Sequence, residues 1–185
     1  MAEMYLKKRS DDQKEKIMSG IIRTTRECSV SQLHPSLFQA IREFVQTNPV
    51  GDLESETRLC CETISEKQNP GKLAAFLDGD HDTIVHLAIL LTAEWLIWAR
   101  NGDQSGTVVA GARLKGIQVK PFVARRTKNM ELEVSAYIGD SKEYVRGNLE
   151  LGYQAAAQKF CEDVCQAVLQ LNPPAKRTFP RWMGG

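Results

Sequence analysis

Two hydrophobic periods succeed one another along this chain. Residues 11–26 place Ile17, Met18, Ile21 and Ile22 at i, i+1, i+4 and i+5, which is one apolar stripe at 3.6 residues per turn. Ser10 with Gln13 three residues later has the form of a capping box for that helix. Between His34 and Asn48, Pro35 suits a first helical turn, and Leu37, Phe38, Ile41, Phe44 and Val45 keep helical spacing until Asn48-Pro49-Val50-Gly51. A third helix is predicted over 53–67, with Asp52, Glu54 and Glu56 near its positive N-terminal end and a thin apolar side of Leu53, Leu59, Cys60 and Ile64. Asn69-Pro70-Gly71 is the strongest breaker, so an N-terminal helical region is expected over 1–70 and a second unit after it.

Beyond Gly71 the period falls to 2, the signature of strands. Short strands are predicted at 72–77, 83–92, 95–100, 107–114, 117–123, 130–138 and 144–151. In 117–123 Pro121 implies an edge or a bulge. In 130–138 Met130, Leu132, Val134, Ala136 and Ile138 alternate with Glu131, Glu133, Ser135 and Tyr137, giving one dry face and one wet. A closing helix is expected over 153–171, with Ala157, Phe160, Val164, Val168 and Leu171 as its apolar stripe and Cys161 and Cys165 at the margin. Asn172-Pro173-Pro174 ends it, and 173–185 is a basic tail with Phe179 and Trp182. Successive strands with tight turns imply an antiparallel meander, so the expected class is α+β: helices, then six to seven strands over 71–172 covered by one helix.

That order, with Leu90-Leu91-Thr92-Ala93-Glu94-Trp95-Leu96-Ile97-Trp98 reading as strand, tight turn and strand, resembles the pleckstrin-homology-like superfold, including bacterial PH and GRAM-type domains, over about 72–171. The resemblance implies a curled barrel plugged by its last helix. It also implies a ligand drawn from phosphoinositides, peptides or partner proteins.

Composition narrows the function classes. The chain has 185 residues with 24 basic and 23 acidic side chains, so it has neither the polycation footprint of a nucleic-acid binder nor an acidic solvating tail. It has no apolar run long enough to span a bilayer, and its first residues read as no secretory signal. Five cysteines (Cys28, Cys60, Cys61, Cys161, Cys165) then read as reduced thiols in a cytoplasmic protein. Cys161 and Cys165 stand at i, i+4 but lack two further ligands for zinc, and no cofactor or metal is expected.

Asp78-Gly79-Asp80-His81-Asp82 resembles a calcium loop, but Thr83 stands at its sixth position and Ile89 at its twelfth, so a polar turn explains it. Gly106 and Gly111 have P-loop spacing, but Ala112-Arg113 replaces the Lys-Ser/Thr. His34, His81 and His86 stand in no local nucleophile signature, and no enzyme is expected.

The clearest candidate site is a run of charge. Arg113, Lys115, Lys120, Arg125, Arg126 and Lys128 occur with no acidic residue between Arg113 and Lys128. Arg125-Arg126-Thr127-Lys128 falls in an expected hairpin loop, where such side chains can converge on an anion. The function expected is a non-catalytic interaction module. It would bind another protein or a second copy of itself through its N-terminal helices or a strand edge, or else an anionic lipid surface through 113–128.

Overall fold

The structure, a computed structural model, describes residues 20–68, 82–125, 127–137 and 144–173. The described chain runs β1 (Ile21–Glu27), a 3-10 turn (Val30–Gln32), α1 (Pro35–Thr47), α2 (Leu53–Glu56), β2 (Leu59–Lys67), β3 (Ile84–Leu91) and β4 (Trp95–Gly102). It continues with β5 (Gly106–Arg113), β6 (Gln118–Val123), β7 (Met130–Tyr137), β8 (Tyr144–Glu150) and α3 (Ala155–Leu171). The class is α+β. The strands make two antiparallel sheets in the orders β1-β2-β3-β4-β5 and β6-β7-β8. Among the described residues no ladder joins the two sheets, so the closed barrel is corrected to two open sheets with a C-terminal helix.

The helical N-terminal region is corrected too. Of the helix expected over 11–26, the described part is strand β1, preceded by Gly20 at φ 62. Four of its seven residues, Ile21, Ile22, Thr24 and Thr25, are β-branched, and such side chains fit a pleated surface better than a helix. The helix expected over 53–67 stops at Glu56. Asp52 caps it by accepting from Ser55 N at 3.0 Å, Thr57 turns extended, and 59–67 becomes β2. Asn69-Pro70-Gly71 and the strand expected at 72–77 lie outside the described residues, as do Ser10, Gln13 and the tail from 174 on. The strands on either side of 69–71 belong to one sheet.

The larger sheet is covered on both faces. This is why β3 and the start of β4 read as nearly unbroken apolar runs. Its outer face, with Cys60, Ala88, Leu90, Trp95, Ile97 and Ala99, packs against α1 through Leu37 and Ile41. Phe44 meets the Trp95 ring edge-on at 6.0 Å and rests on Gly111, where a Cβ would lie 2.7 Å from the Phe44 Cζ. The apolar side of α1 is thus inside the molecule. With that side, α1 holds the sheet.

The inner face carries Cys61, Leu87, Ile89, Leu91, Leu96 and Ala112. It packs against Leu132, Val134 and Ala136 of β7 and against Ala157, Phe160, Cys161, Val164 and Val168 of α3. Leu171, placed in the stripe by sequence, is exposed at the last turn of α3. β6 is the edge of its sheet, where Pro121 can lack an N–H without breaking a central ladder.

Candidate functional site

Strand register sets the chemistry of the inner face. Arg23, Ser65, Val85 and Gly102 form one row, Thr25, Thr63, Leu87 and Arg100 the next, and Glu27, Cys61, Ile89 and Trp98 the third. The face therefore turns polar toward the start of β1. There the two sheets enclose a cavity of about 250 Å³, with Arg23, Lys67, Arg100 and Asp82 on the larger sheet's side and Asn148 and Glu150 of β8 opposite. Arg23 is buried and pairs with Glu150 across the sheets, while its Nε is a buried donor with no acceptor among the described residues.

Arg23 is held from behind. The Gln154 side chain closes the free edge of β1 as a strand would, accepting from Thr25 N at 3.1 Å and donating to Arg23 O at 3.1 Å. Gly152 N donates to Thr25 Oγ1 at 2.7 Å, and Thr25 Oγ1 lies 2.8 Å from Thr63 Oγ1. A Cβ on Gly152 would approach Arg23 O to 2.9 Å, so this junction requires glycine.

A second constellation lies on the outer face. Glu62 is 1% exposed and accepts from Arg26 Nη2 at 2.6 Å, from His86 Nδ1 at 3.1 Å and from the His34 backbone N at 3.4 Å. The His34 and His86 rings stack at 4.4 Å. Burial pushes the Glu62 carboxyl up, but the donors Arg26 and His86 outweigh it and hold it below the usual carboxylate range. A carboxyl depressed by folding contributes stability above its unfolded pKa and loses it as pH falls through that range. Glu62→Gln is therefore expected to cost about 1–3 kcal/mol at pH 7. It should also flatten the loss of stability between about pH 5 and pH 3, as read from urea midpoints at each pH. An unchanged pH profile would remove Glu62 from that role.

The basic run is spread along β6. Arg113 ends β5, lies 4.7 Å over the Trp95 ring and bonds Glu94 at 3.2 Å. Lys115 is exposed in the link to β6, and Lys120 stands opposite Glu133 in the ladder. Arg125 and Lys128 are exposed in the β6–β7 turn, where Lys128 has φ 54; Arg126 lies outside the described residues. The length of β6, about 17 Å at ~3.3 Å per residue, separates Arg113 and Lys115 at one end from Arg125 and Lys128 at the other. Neither Arg23 nor Glu62 was singled out by sequence. A single arginine in a β-branched run and a carboxylate at the third position of Cys-Cys-Glu offer no local signature.

Of the calcium-like cluster only Asp82 is described. Its carboxylate accepts from Gln104 N at 2.9 Å, Ser105 N at 2.8 Å, Ser105 Oγ at 2.6 Å and Arg100 Nη2 at 2.9 Å. It organises the β4–β5 turn. In comparison with known proteins, the chain matches no family model and no curated protein.

Proposed function

We propose that this chain is a non-catalytic binding module and that its ligand is a small anion held between the two sheets at Arg23. The observation that carries this reading is Arg23, a buried arginine that lines the cavity and whose Nε has no acceptor among the described residues. A buried charged donor left unsatisfied costs more than the ~1–3 kcal/mol of a neutral one. A carboxylate or phosphate oxygen beside it removes that cost, and arginine suits such oxygens. Lys67 and Arg100 on the same walls add positive charge against Asp82 and Glu150. The kinship with pleckstrin-homology-like domains belongs to this proposal and is supported by the meander and the closing helix. The ligand position rests on Arg23 alone.

Thermal melts of the full chain in inorganic phosphate, sulfate or succinate, against chloride at equal ionic strength, test the proposal. An anion at ten times its Kd contributes about 1.4 kcal/mol, which raises Tm by about 3–6 °C in a chain of this size. Arg23→Gln is expected to abolish the rise. Equal melting in all four salts, or an undiminished rise in Arg23→Gln, overturns it.

A further inference from the structure

At the end of the β1–β2 ladder, one residue past the Glu27–Cys61 pair, Cys28 and Cys60 face one another across the strands. Cys28 N donates to Cys60 O at 3.1 Å, and the two sulfurs lie 3.7 Å apart. Opposed residues at such a hydrogen-bonded position have Cα atoms about 5.5 Å apart, inside the span a disulfide bridges. Both cysteines line a cavity of about 330 Å³ whose walls also carry Ser29, Ser31, Thr57 and Arg58. Cys28 is half-buried and open to that space, while Cys60 is buried behind it.

We propose that Cys28 and Cys60 form a thiol–disulfide exchange site whose co-reactant is a low-molecular-weight disulfide entering this cavity. The Cys28 thiolate attacks one sulfur of the disulfide RSSR. The S–S bond breaks, the first RS⁻ leaves and takes up the proton Cys28 gave to solvent, and a mixed disulfide remains on Cys28. Cys60 gives its proton to solvent and attacks the Cys28 sulfur, which forms the Cys28–Cys60 bond and expels the second RS⁻ to be protonated in turn. Two protein thiols are oxidised by two electrons, and RSSR is reduced to two RSH.

The roles follow from the surroundings. A hydrogen bond from Cys60 lowers the Cys28 thiol, burial opposes this, and the Arg26 guanidinium adds to the lowering. Cys60 is raised by that same bond and by burial, so it stays protonated while Cys28 attacks, and the bond's share of the rise ends once Cys28 is in a mixed disulfide. Burial also raises Cys61, Cys161 and Cys165, so among the described thiols Cys28 alone is shifted toward the attacking form. The bond would tie the ends of the segment that carries α1 and α2 and so clamp the helical cover onto the outer face of the sheet.

The test treats the reduced full chain with excess oxidised glutathione and maps the products by peptide mass. The expected result is loss of two of the five thiols, a Cys28–Cys60 linkage reversed by reduced glutathione, and a Tm higher by about 5 °C or more. Cys60→Ser should trap one glutathionyl group on Cys28, and Cys28→Ser should leave Cys60 unmodified. Mapping of the parent protein alone decides the matter if a variant fails to fold. Overturning results are five thiols retained, modification first at Cys161 or Cys165, or glutathionylated Cys28 that Cys60 does not resolve.

Discussion

Val164→Asp is expected to abolish the folded state. Val164 is fully buried in α3, where the helix packs on β1, β2, β6 and β7 at once. Removing its side chain forfeits about 1.5–3 kcal/mol of transfer free energy. A carboxyl in its place finds no water, and burying that polar group unpaired adds several kcal/mol more. The sum reaches the whole of an ordinary domain's stability of about 5–15 kcal/mol. Leu171→Asp on the same helix is the control: it is 47% exposed and should shift stability by no more than about 0.5 kcal/mol. Urea unfolding followed by far-ultraviolet circular dichroism separates the two. A Val164→Asp protein that melts with its parent would mean that α3 does not hold the sheets together.

The half of the chain after residue 82 was legible because its pattern was redundant. β7 alternates cleanly, Thr92-Ala93-Glu94 turns the chain by accepting Trp95 N on Thr92 Oγ1 at 3.0 Å, and α3 carries five buried residues at helical spacing. Between 20 and 67 the helix expected from His34 to Asn48 forms as α1, whereas the stretches that become β1 and β2 misled for a physical reason. Ile21 and Ile22 fit either period, and in β2 both faces are covered, so Cys60, Cys61, Glu62 and Thr63 are buried in succession and no alternation survives. Such a strand cannot be told from a helix by period. What decides it is the neighbouring strand, which lies at the far end of an intervening segment.

The functional groups were less legible still. The basic run was visible as composition, but β6 distributes it between two ends of a strand. Arg23, by contrast, meets Glu150 and Gln154 only because β1 lies beside the end of β8. Cys28 and Cys60 belong to the same lesson. They read as two unrelated thiols until the register of β1 and β2 sets them face to face. Long-range register is the information that residue types and spacing lack.

The second large effect is expected at Asp82, whose carboxylate is 1% exposed and serves four donors. Asp82→Ala takes the acceptor from Gln104 N and Ser105 N, and because Arg100 is 41% exposed and can turn to water the expected cost is that of unsatisfied buried donors, about 1–3 kcal/mol. Asp82→Asn keeps the size and some acceptor capacity and should cost less. Gly102 narrows the choice further, since a Cβ there would collide with the Asp82 carboxylate. Burial pushes this carboxyl up, but Ser105, Gln104 and Arg100 together hold it far below the usual range. Because folding depresses it, its contribution is complete above the unfolded carboxylate pKa and is lost as acid protonates the folded form. The parent should therefore lose stability steadily below about pH 4, and Asp82→Ala, already without this contribution, should lose less over the same interval. Urea midpoints at pH 7 and pH 3 measure both differences. Equal midpoints for parent and Asp82→Ala at pH 7 would show that the β4–β5 turn stands without its carboxylate, and Arg100 would then need another reason to face the cavity.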